Sequence, residues 1–178
     1  MAQERPRHPD IHAGEVSDMK RSWFLISGAA AAAALALAIL PSSAEPARQL
    51  PDPTLDEKAD GSSATRTAVF AGGCFWGVQG VFQHVDGVTS AVSGYAGGDA
   101  ATAHYEMVGR GRTGHAEAVR IVYDPRKVSF GTLMQIYFSV SHDPTELDRQ
   151  GPDVGPQYRS TLFAGDDEQR SEEHTSEL

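Results

Sequence analysis

Three features of this 178-residue chain predict an α+β domain of the ferredoxin-like, split βαβ kind, a two-layer sandwich of helices on an antiparallel sheet. Apolar residues recur with strand and helix periods in the order β-α-β-β-α-β. Gly, Pro and Asp clusters punctuate these segments at each expected turn. The pattern starts only after about residue 65, so the length allows one ordinary domain behind a separate N-terminal region.

Residues 67–71 read as a short buried strand, Gly72-Gly73 as a tight turn, and residues 74–85 as a helix with Phe75, Val78, Phe82 and Val85 on one side. A second strand follows at residues 88–95. The Gly-rich stretch 96–114 carries few core candidates and reads as a loop. Residues 116–123 form a third strand, broken by Asp124-Pro125. Ser129 is placed to cap a helix bearing Phe130, Leu133, Ile136, Tyr137 and Val140, finished before Pro144. Residues 157–163 supply the fourth strand, and Asp166-Asp167-Glu168-Gln169 opens another helix.

Ahead of the domain, residues 1–18 read as a polar tail or as sequence before a true start at Met19. Residues 19–44 combine Lys20-Arg21, the apolar run 23–40 and the small residues Ser42 and Ala44, the layout of a secretory signal. Retention of residues 23–40 as a membrane anchor is the alternative. Both place the domain outside the cytoplasm, in a bacterial periplasm. Residues 45–65, rich in Pro, Ser, Asp and Ala, read as a disordered linker, and 66–169 as the domain. Residues 170–178, Arg170-Ser171-Glu172-Glu173-His174-Thr175-Ser176-Glu177-Leu178, resemble the translation of a common sequencing adapter and are set aside from fold reasoning; the bland alternative is a polar tail.

With 15 Lys+Arg against 24 Asp+Glu the net charge is -9, which argues against nucleic acid and against anionic membrane as the main partner. A single cysteine forms neither an internal disulfide nor a thiolate metal cluster, so no metal site is expected. Its role is chemical, intermolecular or simply packing. Cys74 falls in the first turn of its helix, where free backbone N–H groups favour a thiolate. Phe75 and Trp76 follow it about 100° apart around the helix, so at least one faces away from the core and offers an apolar wall beside the thiol.

Strand alternation puts Glu117 on the apolar face with Val119, Ile121 and Tyr123. A carboxyl desolvated there resists ionisation, which suits a general acid. The alternative is a frayed strand start at which Glu117 turns to water or pairs with Arg112 or Arg120. Gly109-Arg110-Gly111-Arg112-Thr113-Gly114 matches the dinucleotide fingerprint in form, but a strand follows it where the fingerprint needs a helix. His104, His115 and His142 are the bases that a cysteine hydrolase would draw on, or else ordinary surface and capping residues.

Gly73-Cys74-Phe75-Trp76-Gly77 resembles the signature of the A-type peptide methionine sulfoxide reductases. Gly94-Tyr95-Ala96-Gly97-Gly98, Gly114-His115-Ala116-Glu117-Ala118-Val119, and His142-Asp143-Pro144 followed by Asp153 and Gln157-Tyr158-Arg159-Ser160 resemble that family's later blocks in the same order. The resemblance implies that Cys74 attacks the sulfur of methionine-S-sulfoxide, free or in proteins, while Glu117 protonates its oxygen. Tyr105 and Tyr158 would donate to that oxygen, Asp153 would hold a water, and Phe75 and Trp76 would bind the S-methyl group. The products would be methionine and a cysteine sulfenic acid.

The resemblance implies no cofactor beyond a reductant, either an external thiol or thioredoxin, and oxidised proteins as partners. Gln79 stands where the family commonly has Glu. Family members usually carry resolving cysteines toward the C-terminus; with Cys74 alone, the domain is expected to be incomplete there. A cysteine hydrolase and a non-catalytic module binding apolar peptides are the competing readings. The hydrolase needs a histidine at the sulfur, and the reductase needs Glu117 and two tyrosines there.

Overall fold

The computed structural model describes residues 49–53, 56–57, 64–165 and 169. The apolar run 23–40, the expected helix start at 166–168 and the tail 170–178 lie outside the described residues. Among those described, no helix is long and apolar enough to cross a membrane.

Strand β1 (Arg66–Ala71) leads through Gly72-Gly73 into helix α1 (Phe75–Phe82). Strand β2 (Val88–Ala96) follows, then a loop holding a 3-10 turn (Ala100–Thr102) and the short helix α2 (Tyr105–Val108). Strand β3 (Ala116–Tyr123) precedes helix α3 (Phe130–Ile136), which runs on as a π-helical turn (Tyr137–Ser141). A small hairpin of β4 (Arg149–Gln150) and β5 (Asp153–Val154), a 3-10 turn (Pro156–Tyr158) and β6 (Thr161–Leu162) complete the chain of elements. The main sheet has the order β2-β3-β1-β6 with antiparallel neighbours throughout, the split βαβ arrangement that the element order predicts.

Alternation along the strands sorts two clusters. Phe70 of β1, Tyr95 of β2 and Val119, Ile121 and Tyr123 of β3 share the cluster formed with Phe75, Val78 and Phe82 of α1 and Phe130, Leu133 and Met134 of α3. Val69, Ala71, Ala96, Ala116 and Ala118 pack on the opposite face. Phe70 lies at the centre, its ring centroid 5.4 Å from Phe82, 5.8 Å from Phe130 and 5.0 Å from Tyr137. The Ser129 hydroxyl caps α3 by accepting from Thr132 N–H at 3.2 Å, as its position in the sequence requires.

Three local expectations change. The expected fourth strand at 157–163 shrinks to Thr161–Leu162, because Pro156 starts a 3-10 turn that withdraws Gln157 and Tyr158 from the ladder. The loop 96–114 contains two helical turns, the first started by Asp99, whose carboxylate accepts from Ala101 N–H at 2.8 Å, and the second by His104. Within the stretch that composition marks as a linker, Leu50, Asp56 and Glu57 make specific bonds with the α3 region. Asp56 accepts from Gly131 N–H at 3.0 Å, Glu57 accepts from Phe130 N–H at 3.0 Å and pairs with Arg66, and Gln135 donates to the Leu50 carbonyl at 2.8 Å. Two acids accepting from the free N–H groups at a helix start give a polar segment a docking energy that a tally of large apolar residues does not register.

Phe70→Ala should lower unfolding free energy by about 3–5 kcal/mol, since the cavity lies between three aromatic rings that cannot all close on it. Urea denaturation measures this, and a loss under about 1 kcal/mol would show that the core does not rest on this ring.

Candidate active site

Gly73 joins β1 to α1 at φ +82, and a Cβ there would meet the Gln150 side chain at 2.7 Å. Its N–H donates to the Tyr158 carbonyl at 3.1 Å, tying the segment before Cys74 to the Tyr158 turn. Cys74 then takes the N-cap position of α1 with an extended backbone, half-buried. Its carbonyl accepts from Gly77 and Val78 N–H, starting the helix.

The next free donor of this helix, Phe75 N–H, is satisfied from another element: it donates to Glu117 Oε2 of β3 at 3.1 Å. Glu117 is 6% exposed and shares the helix-covered face with Val119, Ile121 and Tyr123, as alternation requires. Arg120 lies on the opposite face and is exposed, so the surface-pairing alternative does not hold with that residue. Burial raises the Glu117 pKa and the nearby Asp153 carboxylate adds to the rise, against the lowering effect of the Phe75 bond.

Tyr95 stands directly opposite Glu117 in the β2–β3 ladder. Its ring lies 5.6 Å from Phe75 and 6.1 Å from His115. Burial, followed by Glu117, Tyr105 and Tyr158, pushes its phenol up to about 12. Tyr158 is raised as well, first by burial, then by Glu117 and Asp153, with a smaller contribution from Tyr105. Cys74, Glu117, Tyr105, Tyr158 and Asp153, drawn from α1, β3, α2, the second 3-10 turn and β5, therefore surround one locality. All five are candidates in the sequence; Tyr95 joins them only in the structure, although its cross-strand place opposite Glu117 follows from the parity of β2 and β3.

Trp76 is 60% exposed beside the sulfur, whereas Phe75 is 5% exposed and packs between Trp76 and Tyr95. One aromatic of the pair faces out, as the helical angle demands. Gln79 stays within the fold's own network, accepting from Ser93 N–H at 3.1 Å and from its hydroxyl at 2.5 Å.

Two of the three histidines are bonded into the scaffold and the third is exposed. Gly98 N–H donates to His115 Nδ1 at 3.2 Å, and Nε2 lies 3.0 Å from the Asp99 carbonyl, so both ring nitrogens are engaged. His142 places Nδ1 3.1 Å from the Tyr137 carbonyl and stacks on that ring at 3.9 Å; burial lowers its pKa. His104 is exposed at the N-cap of α2. Among the described residues, none of the three bonds to Cys74, and no cluster of three His, Cys, Asp or Glu is positioned to hold a metal ion. The glycine-rich run 109–114 leads from α2 into β3, a helix-to-strand passage unlike a dinucleotide fingerprint.

A ferredoxin-like sheet that sets a helix-cap thiol beside a buried carboxyl and several phenols defines a cysteine-centred enzyme class. Residues 66–177 match the family described as peptide methionine sulfoxide reductase. "Peptide methionine sulfoxide reductase MsrA 2" of Mesorhizobium japonicum is 65% identical over 116 residues, 65% of this chain and 58% of that protein. The protein of the same name from Synechocystis is 52% identical over 123 residues, 68% of this chain and 58% of its own length. Among solved structures, Mxr1 of Saccharomyces cerevisiae in reduced form matches with TM-score 0.60 and 29% identity over 70% of this chain and 72% of that one. Methionine sulfoxide reductase A of Corynebacterium diphtheriae matches with TM-score 0.56 and 32% identity over 78% and 67%. The chain belongs to the peptide methionine sulfoxide reductase family, in its A-type branch. It spans 58% of the length of the two curated relatives.

Because burial raises the folded-state pKa of Glu117, the native state holds this proton more tightly than the unfolded chain does. Native stability from this group is therefore fully present below about pH 4.3, where the unfolded carboxyl ionises, and is lost as pH rises through the folded value. Glu117→Gln keeps an acceptor for Phe75 N–H and removes the titration, so its stability relative to wild type should increase from about pH 4 to about pH 7. Urea midpoints at the two pH values test this; an unchanged difference would mean that Glu117 ionises as freely as an exposed carboxyl.

Proposed function

We infer that this chain reduces methionine-S-sulfoxide, free or in proteins, to methionine in repair of oxidative damage. The observation that carries the reading is the bond from Phe75 N–H to Glu117, which holds a buried carboxyl of raised pKa at the backbone of the residue next to the nucleophile. Cys74 Sγ, as thiolate, attacks the sulfoxide sulfur while Glu117 delivers a proton to its oxygen. Across the reaction the oxygen passes from the substrate sulfur to Sγ, so the sulfoxide is reduced to a thioether and the thiol is oxidised by two electrons to a sulfenic acid. Tyr105 and Tyr158 donate hydrogen bonds to the oxygen as charge builds on it, and Asp153 holds a water beside it. Trp76 forms the wall for the S-methyl group, with Phe75 as the floor behind it.

The reductant is a small thiol, or a thioredoxin-like protein where a resolving cysteine accompanies Cys74, and the substrates are proteins bearing methionine sulfoxide. An extracytoplasmic, periplasmic site of action, with either signal cleavage or anchoring by residues 23–40, is supported by the Lys20-Arg21 and apolar-run pattern alone.

In single-turnover assays with a methionine sulfoxide peptide, Cys74→Ser should abolish product, and Glu117→Gln should slow its formation about a hundredfold or more. Wild-type rates in either variant would remove that residue from its role.

The 178-residue polypeptide holds Cys74 as its one cysteine, so no second thiol of the chain captures the sulfenic acid. Without reductant it should release close to one methionine per protein, leaving Cys74 open to labelling by dimedone. Dithiothreitol should restore cycling and thioredoxin, which acts on disulfides, should do so poorly. Efficient thioredoxin-driven turnover by this polypeptide would contradict the assignment of a sulfenic acid as the resting product.

A further inference from the structure

Tyr105 is 59% exposed, so packing of its own ring does little to place its phenol; it goes where its backbone goes. That backbone is governed by a chain of short-range bonds leading back to one buried side chain. His115 is 2% exposed at the entrance to β3, two residues before Glu117. Gly98 N–H is a donor, so His115 Nδ1 must present its lone pair, and Nε2 then carries the hydrogen and donates to the Asp99 carbonyl.

That same Asp99 carbonyl accepts from Thr102 N–H at 2.8 Å and from the Thr102 hydroxyl at 2.8 Å, and the Asp99 carboxylate accepts from Ala101 N–H. His104 N–H donates to the Thr102 carbonyl at 2.8 Å, and Met107 and Val108 N–H both donate to the His104 carbonyl at 2.9 Å. No unsupported residue intervenes between the ring and the helix that starts at Tyr105. Gly98 makes the close approach feasible: a Cβ there would meet His115 Cδ2 at 2.6 Å and the Thr113 carbonyl at 2.6 Å. The backbone of the same two-residue segment also anchors the opposite wall, because Arg159 donates to the Gly114 carbonyl at 3.0 Å and the His115 carbonyl at 3.1 Å, next to Tyr158.

We propose that His115 is a positioning residue for the reaction: its ring, bonded to Gly98 and Asp99, latches the loop that carries Tyr105 to the strand that carries Glu117, fixing the phenol relative to the acid. The proposal rests on the reading of this site as a sulfoxide reductase. His115 itself touches no substrate; its two nitrogens are spent on the loop, and its effect on rate passes through Tyr105.

A double-mutant cycle on the full chain tests it, with single-turnover release of methionine from a methionine sulfoxide peptide as the readout. His115→Phe keeps the ring volume and removes both bonds. It should slow turnover about tenfold or more in the wild-type background, yet about twofold or less when Tyr105 is already Phe, since a latch has nothing to position once the hydroxyl is gone. His115→Asn, which retains an acceptor for Gly98 N–H, should recover part of the loss, and the same cycle is run on it should His115→Phe not fold. Equal fold-losses in the two backgrounds would assign His115 to general stability and overturn the proposal.

Amide hydrogen exchange separates this outcome from failure of the functional reading. In His115→Phe, or in His115→Asn if the first variant does not fold, exchange at Gly98 and at Met107 and Val108 should rise together, by about tenfold or more. A wild-type chain that releases no methionine would sink the reductase reading while exchange still decides the latch. Exchange that rises at Gly98 alone, or at neither place, overturns the latch whatever the activity.

Discussion

The hydrogen bond from Phe75 N–H to Glu117 is the contact on which the site depends. A helix start leaves backbone N–H groups without intrahelical partners, and a buried carboxyl must find donors; here each need meets the other. Because α1 follows directly from Cys74 and β3 crosses the middle of the sheet, one bond sets the distance between a thiol and an acid that are 43 positions apart in the chain. The surrounding core, centred on Phe70 and its three aromatic neighbours, makes that distance rigid. Had Glu117 belonged to an edge strand, solvent would have screened it and removed the reason for it to keep a proton.

The fold class was legible because each strand shows its parity and each helix its apolar face: Ala68 and Phe70 against Val69 and Ala71, or Phe75, Val78 and Phe82 along α1. Cys74 and Glu117 could be singled out by local rules, a cap position and a strand face. Tyr105, Tyr158 and Asp153 could not, since they sit on elements of two to four residues whose placement depends on long-range bonds; only the resemblance to the family points to them. The docking of Asp56 and Glu57 was invisible for a related reason: they act through backbone N–H groups of α3, and no side-chain periodicity records such a bond. Nothing in the sequence around His115 separates a hydrolase base from a surface or capping residue, and it is one of the most deeply buried polar groups of the domain.

Glycine has two separate uses around the site. Gly73 supplies a left-handed backbone so that the chain can turn from β1 into α1 with Cys74 at the cap. Gly98 supplies absence, letting a loop lie against an imidazole ring. Both bring backbone donors to fixed acceptors, Tyr158 and His115, and so fasten the two loops that carry phenols to the frame that carries the thiol and the acid. Exposed tyrosines on loops would otherwise sample many positions, and donors meant for a developing oxyanion have value only if they are already in place.

Two buried glutamates show why burial alone does not mark the acid. Glu57 and Glu117 are both less than 9% exposed, and burial raises the pKa of each. Glu57 is surrounded by groups that stabilise its charge: the Arg66 guanidinium, Phe130 N–H and the Tyr123 hydroxyl all bond to it. These lower its pKa against the effect of burial, as a structural carboxylate requires. Glu117 receives one backbone donor and faces another carboxylate, Asp153, whose charge reinforces the effect of burial. The difference lies in what acts against burial: a cation and two further donors oppose it at Glu57, whereas among the described residues Phe75 N–H alone opposes it at Glu117 and a second carboxylate adds to it, surroundings that favour the protonated form. The fold thus sets the less compensated carboxyl next to the helix cap that carries the thiol, and ties the other to Arg66 and the start of α3, where it holds its own short segment in place.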